Sequence, residues 1–252
     1  MSIIAIVNQK GGSAKTTTAV NLGATLAESG KRVLLLDIDP QGSTSKWLKC
    51  ANTGKGIYDV LVENTSIVDN INQTGVEGLS VIPSSQWLIG IEKALASEVG
   101  AETILRRKLG ELDMKWDYVL IDCPPALGLL SLSALVAAHE VLVPLETRIM
   151  ALDGLVQLLK TIDMVKERLN PALTINGIVP CRVDKRTRLS MDVIGEIRNR
   201  FNGMVYDSFI RETVKLAECP SFGQPITIYD SKSPGAEDYR SLAKELIKRK
   251  KT

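Results

Sequence analysis

Two lysines bracket a pair of glycines in Asn8-Gln9-Lys10-Gly11-Gly12-Ser13-Ala14-Lys15-Thr16-Thr17, directly after the apolar run Ile3-Ile4-Ala5-Ile6-Val7. A buried strand that breaks into a glycine turn and then opens a helix aims a fan of backbone N–H groups at one spot, which suits a polyphosphate. Gly11, Gly12, Ser13, Ala14, Lys15, Thr16 and Thr17 would form the cradle. Lys15 would reach the β and γ phosphates, and the Thr16 hydroxyl would complete a Mg²⁺ shell. Ala14 stands where the general pattern has its second glycine. The loop tolerates it if φ there is negative, because a methyl group is costly only in the left-handed region. The pattern Lys-Gly-Gly-x-x-Lys-Thr fits better, and in it the front lysine belongs to the definition.

Two more segments supply acids. Residues 33–36 form an apolar run that closes in Asp37-Ile38-Asp39-Pro40-Gln41, and residues 118–121 form another that closes in Asp122-Cys123-Pro124-Pro125. Such runs read as strands buried on both faces, so Asp37, Asp39 and Asp122 fall at the carboxyl edge of a parallel sheet. Continued alternation would put Asp37 and Asp39 on one side. Asp122 has the position of an acid that holds Mg²⁺ through water.

The elements that must position these residues are legible from periodicity. Strand-like runs at 3–7, 33–36, 79–82, 118–121, 141–143 and 173–179 alternate with helical stretches such as 16–28, 101–112, 152–169 and 192–201. This alternation predicts an α/β fold, a mostly parallel doubly wound sheet with helices on both faces and ligands at the carboxyl ends of its strands. The polar stretch 51–56 reads as a surface connection, and a last helix near 237–248 ends in Lys248-Arg249-Lys250-Lys251, which reads as a solvated tail.

Five separated blocks, Lys10 to Thr17, Asp37 to Gln41, Asp122 to Pro125, Leu216 to Gly223 and Ser233 to Ala236, together resemble the ParA/Soj partition ATPases. These are P-loop NTPases of the deviant Walker A type, in a wider group that includes MinD. The resemblance runs from about residue 3 to about residue 247, so it implies one ATPase domain over 1–252. It also implies ATP and Mg²⁺ as ligands, with Thr16, Asp37 and Asp122 in the metal region. Lys10 would cross a two-fold interface to the other subunit's nucleotide, giving an ATP-dependent homodimer. Lys15 neutralises developing charge, Asp39 positions the attacking water, and Arg211 lies with the base-side segments. Such a chain would hydrolyse ATP slowly, bind DNA without sequence preference as a dimer, and work with a ParB-type centromere-binding protein at the nucleoid.

Candidate DNA contacts are Arg182, Lys185, Arg186 and Arg188 in the loop before the Asp192 helix, with Arg211 and Lys215 further on. Departures from the family pattern are Ile210-Arg211-Glu212 in place of Ile-Pro-Arg, Cys181-Arg182-Val183-Asp184 in place of Thr-Met-Tyr-Asp, and Glu146 and Arg148 in place of Gln and Glu. A MinD-like membrane-cycling ATPase is the alternative. It requires an amphipathic last helix, for which Leu242, Leu246 and Ile247 give only a modest stripe. A relative that positions a protein cargo is the third reading.

Composition narrows the classes further. At 252 residues with 44% hydrophobic content the chain can bury a large core, and a net charge of +2 argues for no particular partner by itself. Cys50, Cys123, Cys181 and Cys219 lack C-x-x-C spacing and fit reduced thiols of a cytoplasmic protein. His139, the single histidine, reads as structural. The first strand starts too early for a signal peptide, and no apolar run reaches the ~18 residues of a membrane span.

Overall fold

The computed structural model describes residues 1–50, 56–113, 115–148 and 151–249. Its strands are β1 (Ser2–Ile6), β2 (Val33–Asp37), β3 (Asn72–Gln73), β4 (Leu79–Ile82), β5 (Tyr118–Asp122), β6 (Glu140–Glu146) and β7 (Thr174–Cys181). Its helices are α1 (Lys15–Glu28), α2 (Ser43–Trp47), α3 (Ile57–Leu61), α4 (Ile91–Ala94), α5 (Ile104–Leu109), α6 (Leu129–Ala137), α7 (Ala151–Arg168), α8 (Arg188–Arg200), α9 (Val214–Phe222), α10 (Ile226–Tyr229) and α11 (Pro234–Arg249). Among the described residues the strands form one sheet in the order β3-β4-β2-β5-β1-β6-β7. Only β3 runs antiparallel to its neighbour.

Alternation along each central strand divides the core in two. Ile3, Ala5, Leu34 and Leu36 face the layer of α3, α5, α6, α7 and α8, whereas Ile4, Ile6, Val33 and Leu35 face α1, α9 and α11. Val33 to Leu36 are wholly buried, and each such side chain contributes about 1.5–3 kcal/mol on burial. Covered faces explain why these strands read as continuous apolar runs rather than alternating ones. Because β2, β5 and β1 are neighbours and parallel, their carboxyl ends and the loops that follow lie together.

Several elements differ from the sequence expectation. The run expected as one helix over 101–112 is a 3-10 turn, Ala101–Thr103, followed by α5. The helix expected from residue 192 begins at Arg188, after an extended Thr187 whose hydroxyl bonds Ser190 Oγ at 3.1 Å. Arg188 is therefore the first helical residue and not part of a loop. Of the surface connection at 51–56, only Gly56 falls within the described residues; it is buried and precedes α3.

The expected solvated tail is corrected at Arg249. That side chain bonds Glu245, donates to the carbonyls of Asn176 and Val205, and lies 4.0 Å from the Tyr206 ring centroid. Lys250 and Lys251 lie outside the described residues. His139 is structural: its Nδ1 accepts the Ile3 N–H at 3.2 Å. All four cysteines are free and buried. No helix among the described residues is long and apolar enough to cross a membrane. The apolar stripe of α11 is spent on the core, with Leu242 and Leu246 buried.

Candidate functional site

The loop between β1 and α1 is built as its residue types require. Asn8 anchors its start, donating to the Pro144 carbonyl at 2.7 Å and accepting the Lys10 N–H at 3.0 Å. Gly12 turns the chain at φ 75°. Ala14, however, is also left-handed, at φ 70° and ψ 22°, directly before α1. The condition of a negative φ is thus not met, and the loop keeps the glycine-like backbone while carrying a methyl group. A left-handed L-residue costs roughly 1–2 kcal/mol, so strain is stored at the helix entrance.

Lys15 is buried, and its ammonium reaches back to the Lys10 carbonyl at 3.2 Å. Burial pulls its pKa below the ordinary lysine value, with the charges of Asp122, Cys123 and Asp39 opposing. Thr16 donates its hydroxyl to Asp122 Oδ2 at 2.8 Å, and Thr44 donates to the same oxygen at 2.8 Å. Ser13 Oγ and Asp122 Oδ1 are buried without a hydrogen-bond partner. Orphaned buried oxygens are rare and here sit where a phosphate and a hydrated cation would provide partners.

The three acids converge, though strand alternation does not do it. β2 ends at Asp37, and the chain then turns so that the Asp39 N–H donates to Asp37 Oδ1 at 3.3 Å. Asp37 pairs in register with Asp122 across β2 and β5. Ser45 donates to Asp37 Oδ2 through its hydroxyl at 2.6 Å and its N–H at 2.8 Å. Asp37 therefore lies behind the open face and braces the Asp39 segment, while Asp39 lines the cleft. Burial, then repulsion from Asp122, pushes the Asp37 carboxyl up to about 8. Burial pushes Asp122 up to about 6 against its two hydroxyl donors. A cluster this short of positive charge fits a divalent cation, which would relieve both.

The loop residues Gly11 to Thr17 and Asp39 border a cavity of about 490 Å³ that is also lined by Gln41, Cys181, Arg182, Ile210 to Thr213, Leu216 and Tyr239. Its size suits a nucleotide, with phosphates at the loop. Arg211 lines the same cavity and is held by Asp238 in a two-pronged pair at 2.9 and 2.7 Å.

The basic candidates separate into two groups. Lys185, Arg186, Arg188 and Lys215 are exposed, each beside an acid or a ring: Arg186 with Asp184, Arg188 with Asp192, Lys215 with Glu218, and Lys185 over Phe209. Arg182 is also exposed but differs in being held by two carboxylates at the cleft. Left-handed at φ 55°, it turns into the cleft and bonds Glu146 and Glu212. Lys10 is likewise tied within its own chain, to Glu146 Oε2 at 3.2 Å.

Residues missed from sequence are Thr44, Ser45, Glu146 and Glu212. A hydroxyl cluster just after Asp-x-Asp-Pro-Gln-Gly was the available signal for the first two. For Glu146 and Glu212 the signal was their departure from the family pattern, which marked the positions without giving them a role.

A buried strand, a glycine loop with a buried lysine, and hydroxyl-braced acids at the neighbouring strand ends define a P-loop nucleotide-binding protein. A family model described as an AAA domain matches residues 1–175. The sporulation initiation inhibitor protein Soj of Bacillus subtilis is 47% identical over 97% of this chain and 97% of its own. The chromosome-partitioning ATPase Soj of Treponema pallidum is 43% identical over 98% of this chain and 97% of its own. Cobyrinic acid a,c-diamide synthase from Mycobacterium smegmatis, solved with an ATP analogue and magnesium, matches with a TM-score of 0.88 at 37% identity, over 100% of this chain and 96% of that one. The chain belongs to the ParA/Soj family of partition ATPases.

Proposed function

We propose that this chain is an ATP-driven switch in chromosome or plasmid partition: it binds ATP with Mg²⁺, pairs with a second copy, binds DNA without sequence preference in that form, and resets by slow hydrolysis. The loop with two lysines, facing a cleft of nucleotide size, carries the reading. Lys15 and the loop N–H groups hold the β and γ phosphates. Thr16 and, through water, Asp122 would hold Mg²⁺, with Asp37 bracing the segment; the ion supplies charge neutralisation on the phosphate oxygens. Asp39, the acid on the open face, orients water. Lys10, tied to Glu146 in the lone chain, would swing from the front of the loop to a second subunit's nucleotide, so ATP binding and pairing would reinforce each other by linkage.

Lys185, Arg186, Arg188 and Lys215 are the exposed cations available to phosphate backbones. A ParB-type protein is the expected partner, and nucleoid association follows from DNA binding. Membrane cycling is disfavoured because α11 has already buried its larger apolar residues. Sedimentation with ATP tests the switch. Lys15→Ala should bind no nucleotide, and Asp39→Ala should bind it and remain paired; a monomeric Asp39→Ala protein overturns the model. Arg186→Glu with Lys215→Glu should pair normally and lose DNA, and retained DNA binding removes that part.

A further inference from the structure

Glu146 ends β6 almost fully buried, at 4% side-chain exposure, yet it carries two cations, one on each oxygen. Lys10 Nζ lies 3.2 Å from Oε2, and an Arg182 guanidinium nitrogen lies 2.8 Å from Oε1. The two cations are not held equally. Arg182 also bonds Glu212 through Nε at 3.1 Å and a second nitrogen at 2.6 Å, and its backbone is fixed by β7 on one side and by Val183 pairing with Arg211 on the other. Among the described residues Lys10 has Glu146 as its one acidic partner, and its side chain is 43% exposed. Its backbone stays in place through Asn8 and Lys15, so only the side chain is free to leave.

We propose that Glu146 is a positioning residue that parks Lys10 against its own subunit, with Arg182 remaining as the counter-ion when Lys10 is drawn to another subunit's phosphates. Stripping both cations from a buried carboxylate is strongly unfavourable, whereas removing one of two is not. The arrangement therefore has two tolerated states, and the Glu146 and Arg182 pair sets how much ATP is needed for pairing. The inference rests on the reading that Lys10 acts across the interface.

Replacing either residue should move the ATP requirement in opposite directions. Glu146→Gln keeps the shape and frees Lys10. Its midpoint for pairing, measured by sedimentation in ATPγS, should fall roughly five-fold, the scale of a half-exposed ion pair. Arg182→Gln leaves Glu146 dependent on Lys10, and its midpoint should rise by a similar factor. Glu146→Gln with Arg182→Gln should behave as Glu146→Gln alone, since no buried charge remains to be stranded. In the ADP form, a brief acetylation pulse read by mass spectrometry should modify Lys10 faster in Glu146→Gln than in the unsubstituted protein.

A purely structural role would move both single variants the same way, with additive effects, and would overturn the proposal. Should Glu146→Gln not fold, Arg182→Gln alone decides, because an unchanged or lowered midpoint contradicts it. Lys10→Ala separates the layers of inference. If it pairs normally in ATPγS, the cross-subunit reading fails. If it does not pair while Glu146→Gln matches the unsubstituted protein in midpoint and Lys10 labelling, only the parking role fails.

Discussion

Replacing Ala14 with glycine should stabilise the nucleotide-free protein. Ala14 holds φ 70° and ψ 22°, and its carbonyl accepts the Thr18 N–H at 2.8 Å, so the conformation is fixed by the first turn of α1. The side chain makes no capping bond there. Relief of left-handed strain is worth roughly 1–2 kcal/mol for an L-residue. The greater freedom of glycine in the unfolded chain takes back about 0.4–1 kcal/mol. The methyl group packs only partly against the core, so its loss subtracts a fraction of the ~0.8 kcal/mol of a buried carbon.

The net gain is about 0.5 kcal/mol, or a rise of about 1–2 °C in Tm for a chain of this length. Valine at the same place should lose about 1–2 kcal/mol or more, because a β-branched side chain tolerates the left-handed region worst. Urea midpoints without nucleotide, with unchanged slope, read both effects. ATP affinity of the glycine variant should stay within about two-fold, since the N–H array already has glycine geometry. A glycine variant less stable than the parent, together with a valine variant equal to it, would refute a left-handed residue 14.

Two further outcomes follow from the packing and the acid cluster. In metal-free and nucleotide-free protein, folded Asp37 holds its proton up to about pH 8 and Asp122 up to about pH 6, whereas both release it near 3.8 when unfolded. The folded state binds more protons across that window, so the contribution of these acids to stability falls as pH rises from about 4 to about 8. Asp37→Asn should flatten the upper part of the decline in urea midpoints; a decline unchanged by the substitution assigns it to other groups. Gly177→Ala should cost about 1–3 kcal/mol, because its Cβ would stand 2.6 Å from Tyr206 Cε2 and 2.9 Å from the Met204 carbonyl, one of them backbone. A thermal midpoint within 1 °C of the parent would show that β7 and the 204–206 segment can part.

What was legible in the sequence was local. The phosphate loop, the strand-end acids and the α/β alternation are each written in contiguous residues, and the structure assembles them at one edge of the sheet. What was not legible depends on register and on single torsions. Glu146 gains its role because β6 pairs with β7, setting it opposite Cys181 and next to Arg182. Arg182 remains partly exposed but is drawn onto Glu146 and Glu212 at the cleft from a left-handed backbone, and no pattern of side-chain types marks that torsion on an arginine. The start of α8 was misplaced because its first turn, Arg188-Leu189-Ser190-Met191, lacks a clear apolar period and is set by Thr187.

Of the four left-handed non-glycine residues among the described ones, two, Ala14 and Arg182, line the same cleft. Strain of this kind persists only where surrounding bonds over-determine it. At Ala14 the bond from Thr18 and the helix do so; at Arg182 the carboxylates of Glu146 and Glu212 do. The first strained residue shapes the loop that takes phosphate, and the second holds the counter-charge that lets Lys10 leave. The distortions thus sit at the two points where a nucleotide and a second subunit would each change the local charge, which is where a two-state element has to be built.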